Sequence, residues 1–225
     1  MGKPFLVHML DRIKSAETIN KIIICTSTNR QDDPIEKIAI QEDVICYRGS
    51  ENDVLKRLLG AAKKYSLPFF VNVTADCPLV DPMLVDRVVK EHIIEKADFT
   101  MYAKEQENLP FDCCVIQTDI LDKVVQSKIT SDTEVWLKYF KSDKSIKIHN
   151  IDPGRQYYHN SLKTSLDYPE DYEFMKRLFA EFYNSHKIFS LLDIIKLVKK
   201  NPEILDINAN PELLNRWRDH QHKVA

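Results

Sequence analysis

Two hydrophobic periods alternate along the first half of the chain. Phe5, Leu6, Met9, Leu10 and Ile13 recur at the spacing of one helical face, and the β-branched run KIIICTST, residues 21–28, follows as a strand. Asp33 as N-cap and Pro34 as first helical residue predict a second helix, with Ile35, Ile38 and Ala39 on one side. Residues 44–48 then read as a strand, 53–65 as a helix with Val54, Leu55, Leu58, Leu59 and Ala62 inward, and 69–75 as a strand. Asp81 and Pro82 repeat the cap-and-proline pairing ahead of MLVDRVVKEHIIEK, and residues 97–102 supply another strand.

Strands recurring at roughly 20 to 25 residues with a helix between them are βαβ units, which imply parallel strands, right-handed crossovers and helices on both faces. The expected class is α/β, a doubly wound, mostly parallel sheet. Beyond Tyr102 the order loosens: residues 111–118, 145–151 and 162–168 read as strands, 119–127 and 132–142 as helices, and an antiparallel or mixed extension is expected. The chain closes in helices, one from Pro169 and one opened by Ser190 with Asp193 three residues on, a capping box. Without a Gly/Ser-rich linker, low-complexity tract or repeat, residues 1–225 are expected to form one domain.

Composition narrows the function classes. The 32 basic and 34 acidic residues, net −2, are mixed without long single-sign runs, which argues against a nucleic-acid partner. No stretch approaches the ~20 apolar residues of a membrane span and the start lacks the features of a signal peptide, so a cytoplasmic protein with no membrane partner is expected. Five cysteines without a C-x-x-C pair read as reduced core residues, Cys77 included. The four glycines cannot spell a P-loop or a G-x-G-x-x-G, so the usual phosphate cradle of a doubly wound sheet is missing.

Ligands of open α/β sheets sit beyond the carboxyl ends of strands, where VTADCPLVDP, residues 73–82, places Asp76 on a loop stiffened by Pro78 and Pro82. Asp167 has the same context in LKTSLDYPEDYE, whereas Asp81 reads as a helix cap and Glu170, Asp171 and Glu173 as ordinary acids of a first helical turn. If the two strand ends adjoin, Asp76 and Asp167 could share one Mg²⁺, which accepts one or two carboxylates plus substrate phosphates; solvated or capping aspartates are the other reading. Trp136, Trp217 and the cluster Phe174, Phe179, Phe182 and Tyr183 read as core or subunit contacts, with a homodimer the assembly considered, and His220 and His222 are assigned no role.

TSTNRQDDPIEKIA, VICYRGSENDVLKRL, NVTADCPLVDPMLVDRVV and LDYPEDYEFMKRL, in this order and spacing and with the closing NPEILDINAN, resemble the spore-coat-polysaccharide-type cytidylyltransferases, relatives of the CMP-Kdo and CMP-sialic acid synthetases. The resemblance implies a nucleotide-diphospho-sugar transferase-like fold and a reaction in which a sugar or sugar-acid oxygen attacks the α-phosphate of CTP and pyrophosphate leaves. It implies Mg²⁺ at the aspartates of D-C-P-L and L-D-x-P-E-D, here Asp76 and Asp167. It places Arg48, Ser50 and Asp53 near nucleotide and sugar, and Asp112 and Glu134 around the acceptor; Ser50 and Asp53 equally read as caps of the following helix.

The chain also departs from the family pattern. The family's first strand and its R-x-x-S-x-R-L-P-G-K phosphate loop would precede GKPFLVHML, and Ala75, Cys114, Val135 and Lys163 stand where the family favours glycine, an acid, histidine and arginine. Two readings follow: an active enzyme seen without its opening segment, or a degenerate, non-catalytic paralogue that serves as a nucleotide-binding or interaction subunit. A glycosyltransferase is disfavoured, since no D-x-D triplet occurs.

Overall fold

The computed structural model describes residues 2–103, 109–182 and 188–209. Helix α1 (Phe5–Lys14) leads into β1 (Ile23–Ser27), α2 (Asp33–Gln41), β2 (Ile45–Gly49), α3 (Val54–Lys64), β3 (Phe69–Asn72), α4 (Pro82–Glu95) and β4 (Phe99–Tyr102). The remainder is β5 (Cys114–Gln117), α5 (Thr118–Ser127), α6 (Leu137–Ser142), β6 (Ile148–Ile151), α7 (Pro169–Phe182) and α8 (Leu191–Lys200). The expected helix starts are realised at α3, where Asp53 accepts from Lys56 N–H, at α4, where Asp81 accepts from Met83 N–H, and at α8, whose capping box is complete. At α2 the cap position falls to Asp32 instead. Its carboxylate bonds Thr26 Oγ1 and Ser27 N–H, and Asp33 turns to Arg48.

Strands β1 and β2 pair in parallel, Ile23 opposite Ile45 through Ser27 opposite Gly49. The other four form a sheet in the order β3-β5-β4-β6, with β4 parallel to β6 and β5 antiparallel to both its neighbours. β5 is therefore the single reversed strand, the mixed extension that the loosening pattern suggested. Its residues and the preceding Cys113 alternate between two cores: Cys113 and Val115 join α1, α4, α7 and α8, and Cys114 and Ile116 join α3, α5 and α6. The apolar run Cys114–Ile116 is thus buried on both sides, the condition for helices on both faces of an α/β sheet.

Two expectations are corrected. Residues 162–168 form no strand: Leu162, Lys163 and Thr164 are buried one after another, against strand alternation, on a pinned loop with Thr164 Oγ1 donating to Pro110 C=O at 2.7 Å. The helix read over 132–142 begins only at Leu137, because the buried Thr133 is drawn to the N-terminus of α3, where its hydroxyl accepts from Leu55 N–H and donates to Asp53. Trp217, Tyr183, His220 and His222 lie outside the described residues.

Candidate functional site

The loop after β3 carries the first candidate. Two turns, Cys77 N–H to Thr74 C=O and Val80 N–H to Cys77 C=O, fold residues 74–80 back on themselves. Arg12 locks the far end: its Nε donates to Val80 C=O at 2.7 Å, and Nη2 donates to Leu79 C=O and to Phe189 C=O, the latter at 2.8 Å. Burial pulls this guanidinium down to about 10, with Asp81 acting the other way, so it stays charged at neutral pH. Asp81 also closes the unit, its second oxygen accepting from Leu191 N–H at 2.7 Å. Asp76 stands exposed on this braced loop.

Asp167 reaches the same place from the other end of the chain. Leu166 N–H donates to Asp76 C=O at 2.8 Å, so the two carboxylate-bearing segments are joined backbone to backbone. Behind Asp167 lies a buried hub: Asp171 Oδ2 accepts from Asp167 N–H and Tyr168 N–H at 3.0 and 2.9 Å and from Lys163 Nζ, while Oδ1 accepts from Asn208 Nδ2. Lys163 Nζ also lies 2.8 Å from an Asp167 oxygen. A carboxylate this buried is tolerable because its lone pairs are met by donors and a cation. Asp171 is thus the keystone of the loop rather than an ordinary first-turn acid.

Asp112 joins from a third segment, exposed on the loop that Thr164 ties down at Pro110, and close enough to influence Cys77 electrostatically. Burial, reinforced by Asp76 and in smaller part Asp112, pushes the Cys77 thiol up to about 12, so it is protonated at neutral pH and carries no nucleophile. Among the described residues no three His, Cys, Asp or Glu side chains stand close enough to cage a metal. Two aspartates with oxygen ligands would suit a hard cation that completes its shell with phosphate and water, and would not suit an all-protein cage.

The remaining predicted residues divide. The Arg48 guanidinium is spent inside the protein: it pairs with Asp33 at 2.7 Å and Glu36 at 2.8 Å and donates to Ser27 C=O and Asn29 C=O, clamping the ends of β1 and β2. Ser50 Oγ accepts from Asp53 N–H. Asp53 is buried between Lys128 Nζ at 2.6 Å, Thr133 Oγ1 and Lys56 N–H; against the upward push of burial, these donors hold its carboxyl below the ordinary range. Asp53 is the cap of α3, as its capping alternative anticipated, whereas Ser50 is exposed and bonds only the cap residue's own N–H. Glu134 is exposed and lines, with Asp76, a cavity of about 900 Å³ bounded by β1, β3 and the helices over them.

Lys163 and Arg12 were not among the predicted site residues, although each left a trace in the sequence. Lys163 stands four and eight residues before the two acids it serves, and Arg12 falls on the apolar stripe Phe5, Met9, Ile13, Ala16, where a charge needs a buried partner.

A family model described as cytidylyltransferase matches residues 1–206. The spore coat polysaccharide biosynthesis protein SpsF of Bacillus subtilis is 24% identical over 82% of this chain and 77% of its own length. Among solved structures, a cytidylyltransferase from Leptospira borgpetersenii superimposes with a TM-score of 0.83 at 27% identity, covering 91% of this chain and 87% of that one. A CMP:2-keto-3-deoxy-manno-octonic acid synthetase solved with CTP gives a TM-score of 0.61 at 13% identity over 80% and 89% of the two chains, a likeness of fold.

Proposed function

The chain belongs to the cytidylyltransferase family, and on that premise we propose that it transfers CMP from CTP to a sugar or sugar acid used in a surface polysaccharide or glycan. In this reaction a sugar hydroxyl oxygen bonds to the α-phosphorus, the bond from that phosphorus to the pyrophosphate oxygen breaks, and the hydroxyl proton is released. The reading takes its nucleotide from the family, and its polysaccharide context from the name of the Bacillus relative.

The observation that supports it is the bond between Leu166 N–H and Asp76 C=O, which brings the two acidic loops together. Asp76 and Asp167 would hold Mg²⁺, and a bound Mg²⁺ would neutralise phosphate charge. The chain's own groups do the positioning. Arg12 and Asp81 hold the Asp76 loop rigid, the Lys163–Asp171 pair fixes the backbone on which Asp167 is presented, and Asp112 and Glu134 offer exposed acceptors for acceptor-sugar hydroxyls.

The test is pyrophosphate release from each of CTP, UTP, ATP and GTP with Mg²⁺, against a panel of sugar acids and phosphorylated polyols. Turnover with CTP that falls at least about a hundredfold in Asp76→Asn and Asp167→Asn is expected, and absence of CTP turnover across the panel refutes the enzymatic reading. Calorimetric titration of Mg²⁺ into protein with CTP gives a readout apart from turnover. One observation favours a second reading: the Arg48 and Asp53 side chains are paired within the protein, as suits a subunit that binds nucleotide without turning it over. That subunit would bind CTP by calorimetry in the absence of pyrophosphate release.

A further inference from the structure

The segment between α5 and α6 runs over the surface, with residues 129–132 and 134 exposed and Thr133 among them fully buried. The N-terminus of α3 fixes its position. Thr133 N–H donates to Asn52 C=O at 3.0 Å, and its hydroxyl accepts from Leu55 N–H and donates to Asp53 Oδ1, both at 3.1 Å. Lys128 Nζ reaches the other Asp53 oxygen at 2.6 Å and donates to Thr130 C=O at 2.7 Å, so both ends of the segment close on one carboxylate.

A helix cap alone does not require this arrangement. Asp53 caps α3 by accepting from Lys56 N–H, for which a solvated acid is sufficient. Taking the Asp53 carboxylate and the Lys128 ammonium out of water carries a desolvation cost that their pairing has to offset, and what the arrangement adds to a cap is a fixed backbone at Thr133. On the far side Trp136 packs against Phe99 and Phe140, with ring centroids 6.2 and 5.8 Å away. Glu134 and Val135 are thus strung between two anchors. Glu134 is exposed and lines the same cavity as Asp76. A carboxylate on backbone held from both sides suits hydroxyl recognition, because less conformational freedom is left to lose when a ligand binds.

We propose that Thr133 is a positioning residue for the acceptor: seated on Asp53, it sets where the Glu134 carboxylate accepts hydroxyl hydrogens of a polyhydroxylated acceptor, an inference that rests on the CMP-transfer reading. Thr133 acts through Glu134 and touches no reacting atom. The Asp76 and Asp167 loops are braced separately, by Arg12 and Asp171, so loosening Thr133 changes the acceptor side and leaves the nucleotide side in place. The hydroxyl is the operative group, since it alone joins Leu55 N–H to the Asp53 carboxylate.

The probe is the sugar acid or phosphorylated polyol that the unaltered chain turns over fastest with CTP and Mg²⁺, assayed by pyrophosphate release with each substrate varied in turn. Thr133→Val keeps the shape and removes the hydroxyl: acceptor KM should rise about tenfold while CTP KM stays within about twofold. Thr133→Ser, which restores the hydroxyl, should return acceptor KM to within about threefold of the unaltered value. Adding Thr133→Val to Glu134→Gln should raise acceptor KM by less than about twofold beyond Glu134→Gln alone, because the two residues act as one unit. If Thr133→Val does not fold, Lys128→Met, which releases the other end of the segment and leaves the Asp53 cap in place, carries the same comparisons, with Lys128→Arg as the conservative change. Unchanged acceptor KM, a CTP KM that rises in parallel, a conservative variant no better than the disruptive one, or multiplicative effects in the double variant each overturn the positioning role while CMP transfer stands. Absence of CTP turnover in the unaltered chain instead removes CMP transfer, and the positioning role with it.

Discussion

Two aspartates four residues apart in LDYPEDYE should respond to the same substitution in opposite ways. Asp171 is 1% exposed and meets four donors, three of them on one oxygen. Asp171→Asn removes the charge facing the buried Lys163 ammonium and sets an amide NH₂ against groups that only donate. Breaking a buried pair by changing one partner costs about 3–5 kcal/mol. Asp167 and Ser165 C=O still contact Lys163, so the lower part of that range, about 3 kcal/mol, is expected. Asp167→Asn leaves the hub intact, because Asp167 binds it through its backbone N–H, and changes only the contacts of an acid about one-third exposed with Lys163 Nζ and Ser165 Oγ. Its cost should stay within about 1 kcal/mol. Urea unfolding followed by tryptophan fluorescence, extrapolated linearly, measures both. A loss under about 1 kcal/mol in Asp171→Asn, or equal losses in the two variants, would refute the division of labour between keystone and presented ligand. Pyrophosphate release should fall in Asp167→Asn at temperatures where it remains folded.

Three further outcomes are expected. Asp53 has its carboxyl lowered by folding, so its contribution to stability is present above the unfolded pKa near 3.8 and disappears as pH falls through the lower folded value; Lys128→Met should flatten that acid limb of the stability profile, and an unchanged limb would count against the Asp53–Lys128 pair as its source. Arg12→Met orphans the Val80, Leu79 and Phe189 carbonyls at a cost of at least about 2 kcal/mol, visible as a lower urea midpoint with unchanged slope. Native Cys77 should resist iodoacetamide at neutral pH and react once unfolded, because burial and Asp76 hold its thiol near 12; fast native labelling would contradict the protonated state.

Periodicity and caps made most elements readable before any coordinates: α1, α3, α4, α7 and α8 begin within a residue or two of their signals, since a cap side chain and a helical stripe act over one or two turns. The same local logic placed Asp76 and Asp167 on loops. It misread residues 162–168, which form a loop pinned by Pro110, Asp76 and Asp171, partners far away in sequence or on the next helix. It also treated Asp171 as an ordinary first-turn acid, because burial of a charge is decided by what packs over it.

What the sequence determined by itself, then, was the alternation of strands and helices, the α/β class and the identity of the acidic loops, all consequences of interactions between near neighbours. Only the tertiary structure decided that the Asp76 and Asp167 loops share a backbone bond and that Arg48 and Asp53 find ion-pair partners within the protein. Those outcomes depend on pairings between segments up to 177 residues apart, as between Arg12 and Phe189, whose geometry exists only once the two cores have formed on the faces of the sheet.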